Sequence, residues 1–171
     1  HRKIKWPNTL IARFQFLNVQ DLKKNIVQPI ILDVCHNIDS VSEFCRSIKR
    51  ACLVRGNFQK IPGIVSILKD KDIEGMLNLL REVLDPLVLF EVNNKRSIKK
   101  QYLQGSNSIL PLYSSFRLAW SEQQNKVNDS TLPVAICGSF YAIGEVFDFF
   151  HAYYKGKKLV KDLSGNHVFT Q

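Results

Sequence analysis

The sequence predicts an α/β fold: a mostly parallel sheet flanked by helices. Three observations predict it. Short apolar runs recur along the chain, at Ile30-Ile31-Leu32, Gly63-Ile64-Val65-Ser66-Ile67-Leu68, Leu87-Val88-Leu89-Phe90 and Val134-Ala135-Ile136-Cys137. Between them lie segments whose apolar residues recur at helical spacing. Two of the runs stop abruptly at small or polar residues, in Asp33-Val34-Cys35-His36-Asn37 and Gly138-Ser139-Phe140-Tyr141. Strands that alternate with helices pair in parallel, and such strands deliver functional groups to one edge of the sheet. With 171 residues, 45% hydrophobic and 23% charged, the chain is long enough for one domain with a substantial core and too apolar for disorder.

The elements follow in order. Trp6-Pro7-Asn8 breaks regular structure, since proline restricts the residue before it to extended conformations. Arg13-Phe14-Gln15-Phe16-Leu17 alternates polar and apolar, the period of a half-buried strand. Lys23-Lys24-Asn25 reads as a loop. The run at Ile30 reads as a strand buried on both faces. Asp39 or Ser40 can cap the next helix, with Glu43 completing a capping box after Ser40, and Val41, Phe44, Cys45 and Ile48 form its apolar stripe. After the strand at Gly63, Asp70 or Asp72 can cap a helix carrying Ile73, Met76, Leu77, Leu80 and Leu84, ending before Pro86. A strand at Leu87 follows. Residues 97–104 are weakly helical and end at Gly105. Residues 116–123 read as a short helix and 125–130 as a polar loop. The strand at Val134 leads into a helix over residues 141–154 with Ile143, Val146, Phe147 and Phe150 on one side. The basic tail has no clear period.

The net charge is +9 and the pI about 9.5, which favours anionic partners. The densest cluster, Lys95, Arg96, Lys99 and Lys100, reads as a solvated face. Cys35, Cys45, Cys52 and Cys137 form no C-x-x-C pair and no zinc spacing, so they read as reduced thiols of an intracellular protein. No apolar stretch approaches the ~20 residues of a membrane span. The only methionine is Met76, as expected for a processed chain or a fragment.

The chemistry belongs at the strand ends. Asp33 can accept bonds from ribose hydroxyls or an amine; it can equally tighten its own turn. His36 can donate to a carboxylate or phosphate, or serve the fold. Gly138-Ser139 ahead of a helix suits an anion cradle, or an ordinary turn with Ser139 as a cap. Asp70 and Asp72 read first as a solvated turn. A Cys35–His36 nucleophilic pair is disfavoured, because adjacent side chains in an extended segment diverge. There is no G-x-x-x-x-G-K-[ST] phosphate loop and no G-x-G-x-x-G fingerprint, so any triphosphate chemistry needs another domain.

Four segments resemble a known family in its own order. Leu32-Asp33-Val34-Cys35-His36-Asn37 is similar to the D-[GV]-A-H-N signature of folylpolyglutamate and dihydrofolate synthases. Leu68-Lys69-Asp70-Lys71-Asp72-Ile73 resembles their D-K-D segment, and Gly138-Ser139-Phe140-Tyr141 with Gly144-Glu145-Val146 their G-S-[LF]-Y and GEV close. Trp6-Pro7 with Ala12-Arg13-Phe14-Gln15 is similar to W-P-G-R-x-Q at the start of their C-terminal domain. The chain departs from that pattern in Ala12 for glycine, Cys35 for alanine, Ile38 for proline and an insertion at residues 8–11.

The resemblance implies a C-terminal domain of the Mur ligase type, a Rossmann-like α/β unit, over residues 13–171, with residues 1–12 a linker from an N-terminal ATPase domain. It implies an ATP- and Mg²⁺-dependent ligase of folate biosynthesis that adds L-glutamate to dihydropteroate or folate through an acyl phosphate. Residue by residue, Arg13 and Asp33 contact ATP, His36, Ser139 and Tyr141 hold glutamate, and Asn37, Asp70, Asp72 and Gly138 stand behind them. No catalytic residue and no metal ligand is expected in this domain alone. The expected setting is cytoplasmic, compatible with a mitochondrial form, for a monomer without membrane or nucleic-acid partners. The alternative from charge and aromatic content is a non-catalytic module that binds anions or nucleic acid.

Overall fold

In the computed structural model, residues 12–21, 26–53, 59–103, 110–126, 132–153, 158–161 and 167–170 are described. Eight strands form one sheet: β1 Gln15–Asp21, β2 Ile26–Asp33, β3 Ile61–Ser66, β4 Leu84–Phe90, β5 Leu112–Tyr113, β6 Val134–Gly138, β7 Lys158–Lys161 and β8 His167–Thr170. Their order is β5-β4-β3-β6-β2-β1-β8-β7. The five strands from β5 to β2 are parallel. Strand β1 turns back antiparallel along β2, β8 runs parallel to β1, and β7 is antiparallel to β8. The predicted α/β fold with a mostly parallel sheet is what the chain adopts.

Four helices cover the faces: α1 Ile38–Leu53, α2 Ile73–Arg81, α3 Phe116–Lys126 and α4 Phe140–Tyr153. The central strands are apolar throughout because both faces are covered. Ile31, Val65, Ala135 and Leu89 pack under α1 and α2 with Val41, Phe44, Met76 and Leu77. Ile30, Leu32, Ile64, Val88 and Ile136 pack under α3 and α4 with Phe116, Ala142, Val146 and Phe150. An edge-to-face aromatic group ties the second layer: Phe116 lies 5.4 Å from Phe90 and 5.7 Å from Phe150 between ring centres.

Several local expectations change. Asn37, not Asp39 or Ser40, starts α1: its Oδ1 accepts from the Ser40 N–H at 2.9 Å, and Ser40 Oγ accepts from the Asn37 N–H at 3.1 Å. That is a reciprocal box with serine in the place of glutamate; Glu43 pairs with Arg46 instead, at 2.8 Å. Helix α2 stops at Arg81, and Leu84 belongs to β4, where it pairs with Ile61. Pro86 does not end a helix. It sits inside β4 where the register slips, Ile61 facing Leu84 but Gly63 facing Leu87, so no ladder N–H is demanded of it. Where a helix is expected over residues 97–104, the described residues 97–103 form only a 3-10 turn, at Lys100–Leu103. The tail supplies β7 and β8. Trp6, Pro7, Lys23, Lys24, Asn25, Gly105 and residues 127–130 lie outside the described residues.

Candidate functional site

The two motif stretches, about 100 residues apart in sequence, are neighbours in space. Strands β2 and β6 pair in parallel with Asp33 opposite Cys137, and β6 pairs with β3 with Ser66 opposite Gly138. From β3 the chain crosses to β4 through α2 on one face; from β6 it leaves through α4 on the other. The reversal between β3 and β6 is the position at which open α/β sheets bind ligands beyond their carboxyl ends.

Gly138 has φ +147°, and a Cβ there would lie 2.2 Å from the carbonyl oxygen of Ser66. The glycine is therefore required by the neighbouring strand, whatever approaches from outside. Ser139 follows, nearly buried, with its Oγ accepting from the Ala142 N–H at 3.3 Å and its carbonyl accepting from the Ile143 N–H at 3.1 Å. It thus begins α4, whose next two residues, Phe140 and Tyr141, are the most exposed large apolar side chains described, at 68% and 51%. The ring centre of His36 lies 6.2 Å from that of Phe140, and its Nδ1 is buried without a hydrogen-bond partner.

Asp33 closes β2 with 8% of its surface exposed. Burial raises its pKa above the ordinary value, while the N–H of Phe14 and the charge of Arg13 pull it back down. Its Oδ2 accepts from the Phe14 N–H at 2.7 Å. The adjacent Val34 N–H donates to the Ala12 carbonyl at 2.7 Å, and the Ala12 N–H donates to Gln15 Oε1 at 3.1 Å. Arg13, predicted to open a strand, lies instead in a turn between two left-handed residues, Ala12 at φ 55° and Phe14 at φ 45°. A non-glycine residue costs about 1–2 kcal/mol there. Ala12 recovers part of this by burying its methyl in the core, about 0.8 kcal/mol for one such carbon. The resemblance places a glycine at this position, and the left-handed backbone is the physical reason. Arg13 itself is exposed.

The aspartates after β3 divide. Asp72 starts α2, its Oδ1 accepting from the Gly75 N–H at 2.9 Å. Asp70 accepts both a 3.1 Å and a 2.5 Å bond from Arg96, which lowers its pKa. The basic cluster is thus partly neutralised: Arg96 by Asp70 and Lys99 by Glu91. Arg96 was not marked as a site residue in the sequence because its partner is 26 positions away.

A cleft of about 490 Å³ opens farther along the same edge, beyond β4 and β5, lined by residues including Glu91, Asn93, Lys95, Ser115 and Glu145. Glu145 Oε1 accepts from the Asn93 N–H at 2.5 Å and joins α4 to the loop after β4. Lys95 and Lys99 of the basic cluster and Glu145 of the Gly144-Glu145-Val146 segment line it, whereas Arg13, Asp33, His36, Ser139 and Tyr141 do not. Among the described residues, no group of three or more His, Cys, Asp or Glu side chains could hold a metal ion, and no helix is long and apolar enough to cross a membrane.

The parallel strand order, with helices on both faces, defines a Rossmann-like α/β domain. No protein-family model matches the chain, and no curated protein does. Solved structures do match. A bifunctional folylpolyglutamate synthase/dihydrofolate synthase from Yersinia pestis, complexed with AMPPNP and Mn ion, matches 84% of this chain with 32% of its own, at 25% identity and a TM-score of 0.67. A bifunctional folylpolyglutamate synthase/dihydrofolate synthase with Mn, AMPPNP and L-glutamate bound matches the same shares at 26% identity and a TM-score of 0.65. E. coli FolC in complex with ADP covers 85% of this chain and 32% of its own at 22% identity, with a TM-score of 0.64. The chain has the fold of a domain of the folylpolyglutamate/dihydrofolate synthases, an ATP-dependent ligase family, and spans about a third of their length.

Proposed function

We propose that residues 13–171 are the glutamate-binding domain of an ATP-dependent ligase that joins L-glutamate to dihydropteroate or folate, reached through a linker at residues 1–12 from an ATPase domain. The observation that carries this reading is the pairing of β2 with β6, which brings the Asp33–His36 loop against Gly138-Ser139 at one edge. Two of the solved relatives carry AMPPNP and Mn, one of them L-glutamate as well, and the E. coli protein carries ADP.

In this reading Arg13 and Asp33 meet the nucleotide. His36, Ser139 and Tyr141 receive the anionic glutamate at the start of α4, where free N–H groups and the helix dipole favour negative charge. Asn37 and Asp72 hold the starts of α1 and α2, Asp70 holds Arg96, and Gly138 lets β6 approach β3. The γ-phosphoryl group of ATP passes to the substrate carboxylate, giving an acyl phosphate and ADP. The glutamate amine then attacks the carbonyl carbon; a C–N bond forms, the C–O bond to phosphate breaks, and the amine gives up a proton. This domain orients that amine and, by closing on the ATPase domain, excludes water from the acyl phosphate. The Mg²⁺ implied by the resemblance finds no set of ligands among the described residues, and no step is assigned to it here.

The test is steady-state kinetics of the full-length protein with ATP, glutamate and dihydropteroate or tetrahydrofolate. His36→Ala and Ser139→Ala should each raise KM for glutamate about tenfold, the loss of one bond to a charged group. KM for ATP should stay within about twofold. Loss of ATP affinity with glutamate affinity intact would reverse the roles assigned to the two stretches.

A further inference from the structure

We propose that Gln15 is a positioning residue: with the Asp33 carboxylate it clamps the Ala12-Arg13-Phe14 turn and so aims Arg13 at the nucleotide. The inference rests on the nucleotide role given to Arg13 above. Both residues that flank Arg13 are left-handed and neither is glycine. L-residues leave that region unless surrounding contacts hold them in it. Three contacts do so: Gln15 Oε1 takes the Ala12 N–H, the Val34 N–H takes the Ala12 carbonyl, and Asp33 Oδ2 takes the Phe14 N–H. The Phe14 ring is further wedged against Phe44, 6.0 Å away, and Phe16, 5.4 Å away. Ala12 is buried and Phe14 half-buried, while Arg13 alone is exposed. The clamp therefore spends its contacts on the neighbours and leaves the guanidinium free at the end of β2. Gln15 is the member of this set that belongs to neither proposed ligand shell. Without its acceptor, the Ala12 N–H loses its partner and the turn can relax, carrying Arg13 away from Asp33.

The experiment uses the full-length protein with Gln15→Leu, which keeps the bulk and removes the acceptor. KM for ATP should rise about tenfold, while KM for glutamate stays within about twofold and the melting temperature within ~3 °C. Trypsin cleavage after Arg13 should quicken at least about fivefold, since an unclamped turn fits the protease more often. Adding Ala12→Gly to Q15L should recover most of the ATP affinity, because glycine enters the left-handed region without help; a merely structural role would not be rescued this way. Should Q15L fail to fold, Gln15→Asn, one methylene too short to reach Ala12, reads the same quantities. Arg13→Ala separates the two possible failures. If it raises KM for ATP and Q15L does not, the clamp is overturned. If Arg13→Ala also leaves KM unchanged, the nucleotide role of Arg13 falls and the clamp's purpose falls with it.

Discussion

Asp33 Oδ2 accepts the backbone N–H of Phe14 at 2.7 Å, so the aspartate that ends β2 also holds the turn that starts β1. The bond does not fully offset the cost of burying the charge. Burial pushes the Asp33 pKa above its ordinary value of 3.8, against the pull of Phe14 and Arg13. A raised carboxylate means that the folded state keeps its proton to higher pH than the unfolded chain does. Over that window the folded state binds more protons, so stability falls as pH rises through it. Asp33→Asn keeps an oxygen for Phe14 and removes the charge. Urea denaturation should therefore show the variant gaining on the wild type as pH rises from below 3.8 to neutrality. A difference that does not change with pH would show that the carboxylate is not destabilised by burial. The same variant is expected to bind ATP more weakly, a cost of function for a gain in stability.

At the start of α1, Asn37 and Ser40 exchange bonds, and each side chain covers an N–H of the first turn. Asn37→Ala should lower stability by about 1 kcal/mol, the usual worth of such a cap. Asp39→Ala should change it by less, since no cap rests on Asp39. Equal losses in thermal melts of the two variants would show that the helix starts elsewhere.

These two residues also show what was legible in the sequence. The buried strands were visible because Ile30-Ile31-Leu32 and Val134-Ala135-Ile136 leave no polar face. The helix start was visible only to within a few positions, because Asn37, Asp39 and Ser40 are all good caps and only geometry chooses among them. Leu84 fits a helical stripe and a strand equally well; its pairing with Ile61 decides. The left-handed turn at Ala12 and Phe14 carries no glycine to mark it. The Asp70–Arg96 pair depends on two loops meeting after different strands, which local spacing does not encode. The motif residues of the proposed site come from family likeness, and the contacts that hold them in place are not encoded in local spacing.

Among the described glycines, Gly138 is the one least able to carry a side chain. With φ +147° and the Ser66 carbonyl 2.2 Å from any Cβ, alanine would need both a strained backbone and a shift of β3 from β6. Gly138→Ala should cost about 3 kcal/mol or more. By comparison, Gly144→Ala on α4 meets nothing within 4 Å and removes a helix-interior glycine, so it should stabilise by up to about 1 kcal/mol. Chemical denaturation of the two variants checks the contrast; a tolerated alanine at 138 would mean that the strands separate more easily than their register suggests.

The thiols of Cys35, Cys45 and Cys137 are buried and free. Burial pushes Cys45 up to about 12, and the hydrogen bond with Cys35, together with burial, raises Cys137 well above its ordinary value. Alkylation needs the thiolate. Iodoacetamide at pH 8 should therefore leave Cys45 and Cys137 unmodified in the folded protein and label both after unfolding. Peptide mass mapping reads the two sites separately. Rapid labelling of Cys137 under native conditions would mean that the β2–β6 edge opens far more often than its packing implies.

The chain expressed alone is expected to show no ligase turnover. It carries no phosphate loop in its sequence, and its described residues offer no metal-holding cluster. Of the proposed site residues, Arg13, His36 and Ser139 are suited to holding anions and Asp33 to accepting from hydroxyls or an amine, and none to activating a phosphoryl group. If the proposed site closes between two domains, binding to one face of it leaves half of each ligand in water, so glutamate and ATP should bind the isolated domain only weakly. Calorimetry with each ligand, and a phosphate-release assay with both and a folate acceptor, test this directly. Sustained phosphate release by these 171 residues would mean that the nucleotide chemistry resides within them, and the division of labour between two domains would have to be abandoned.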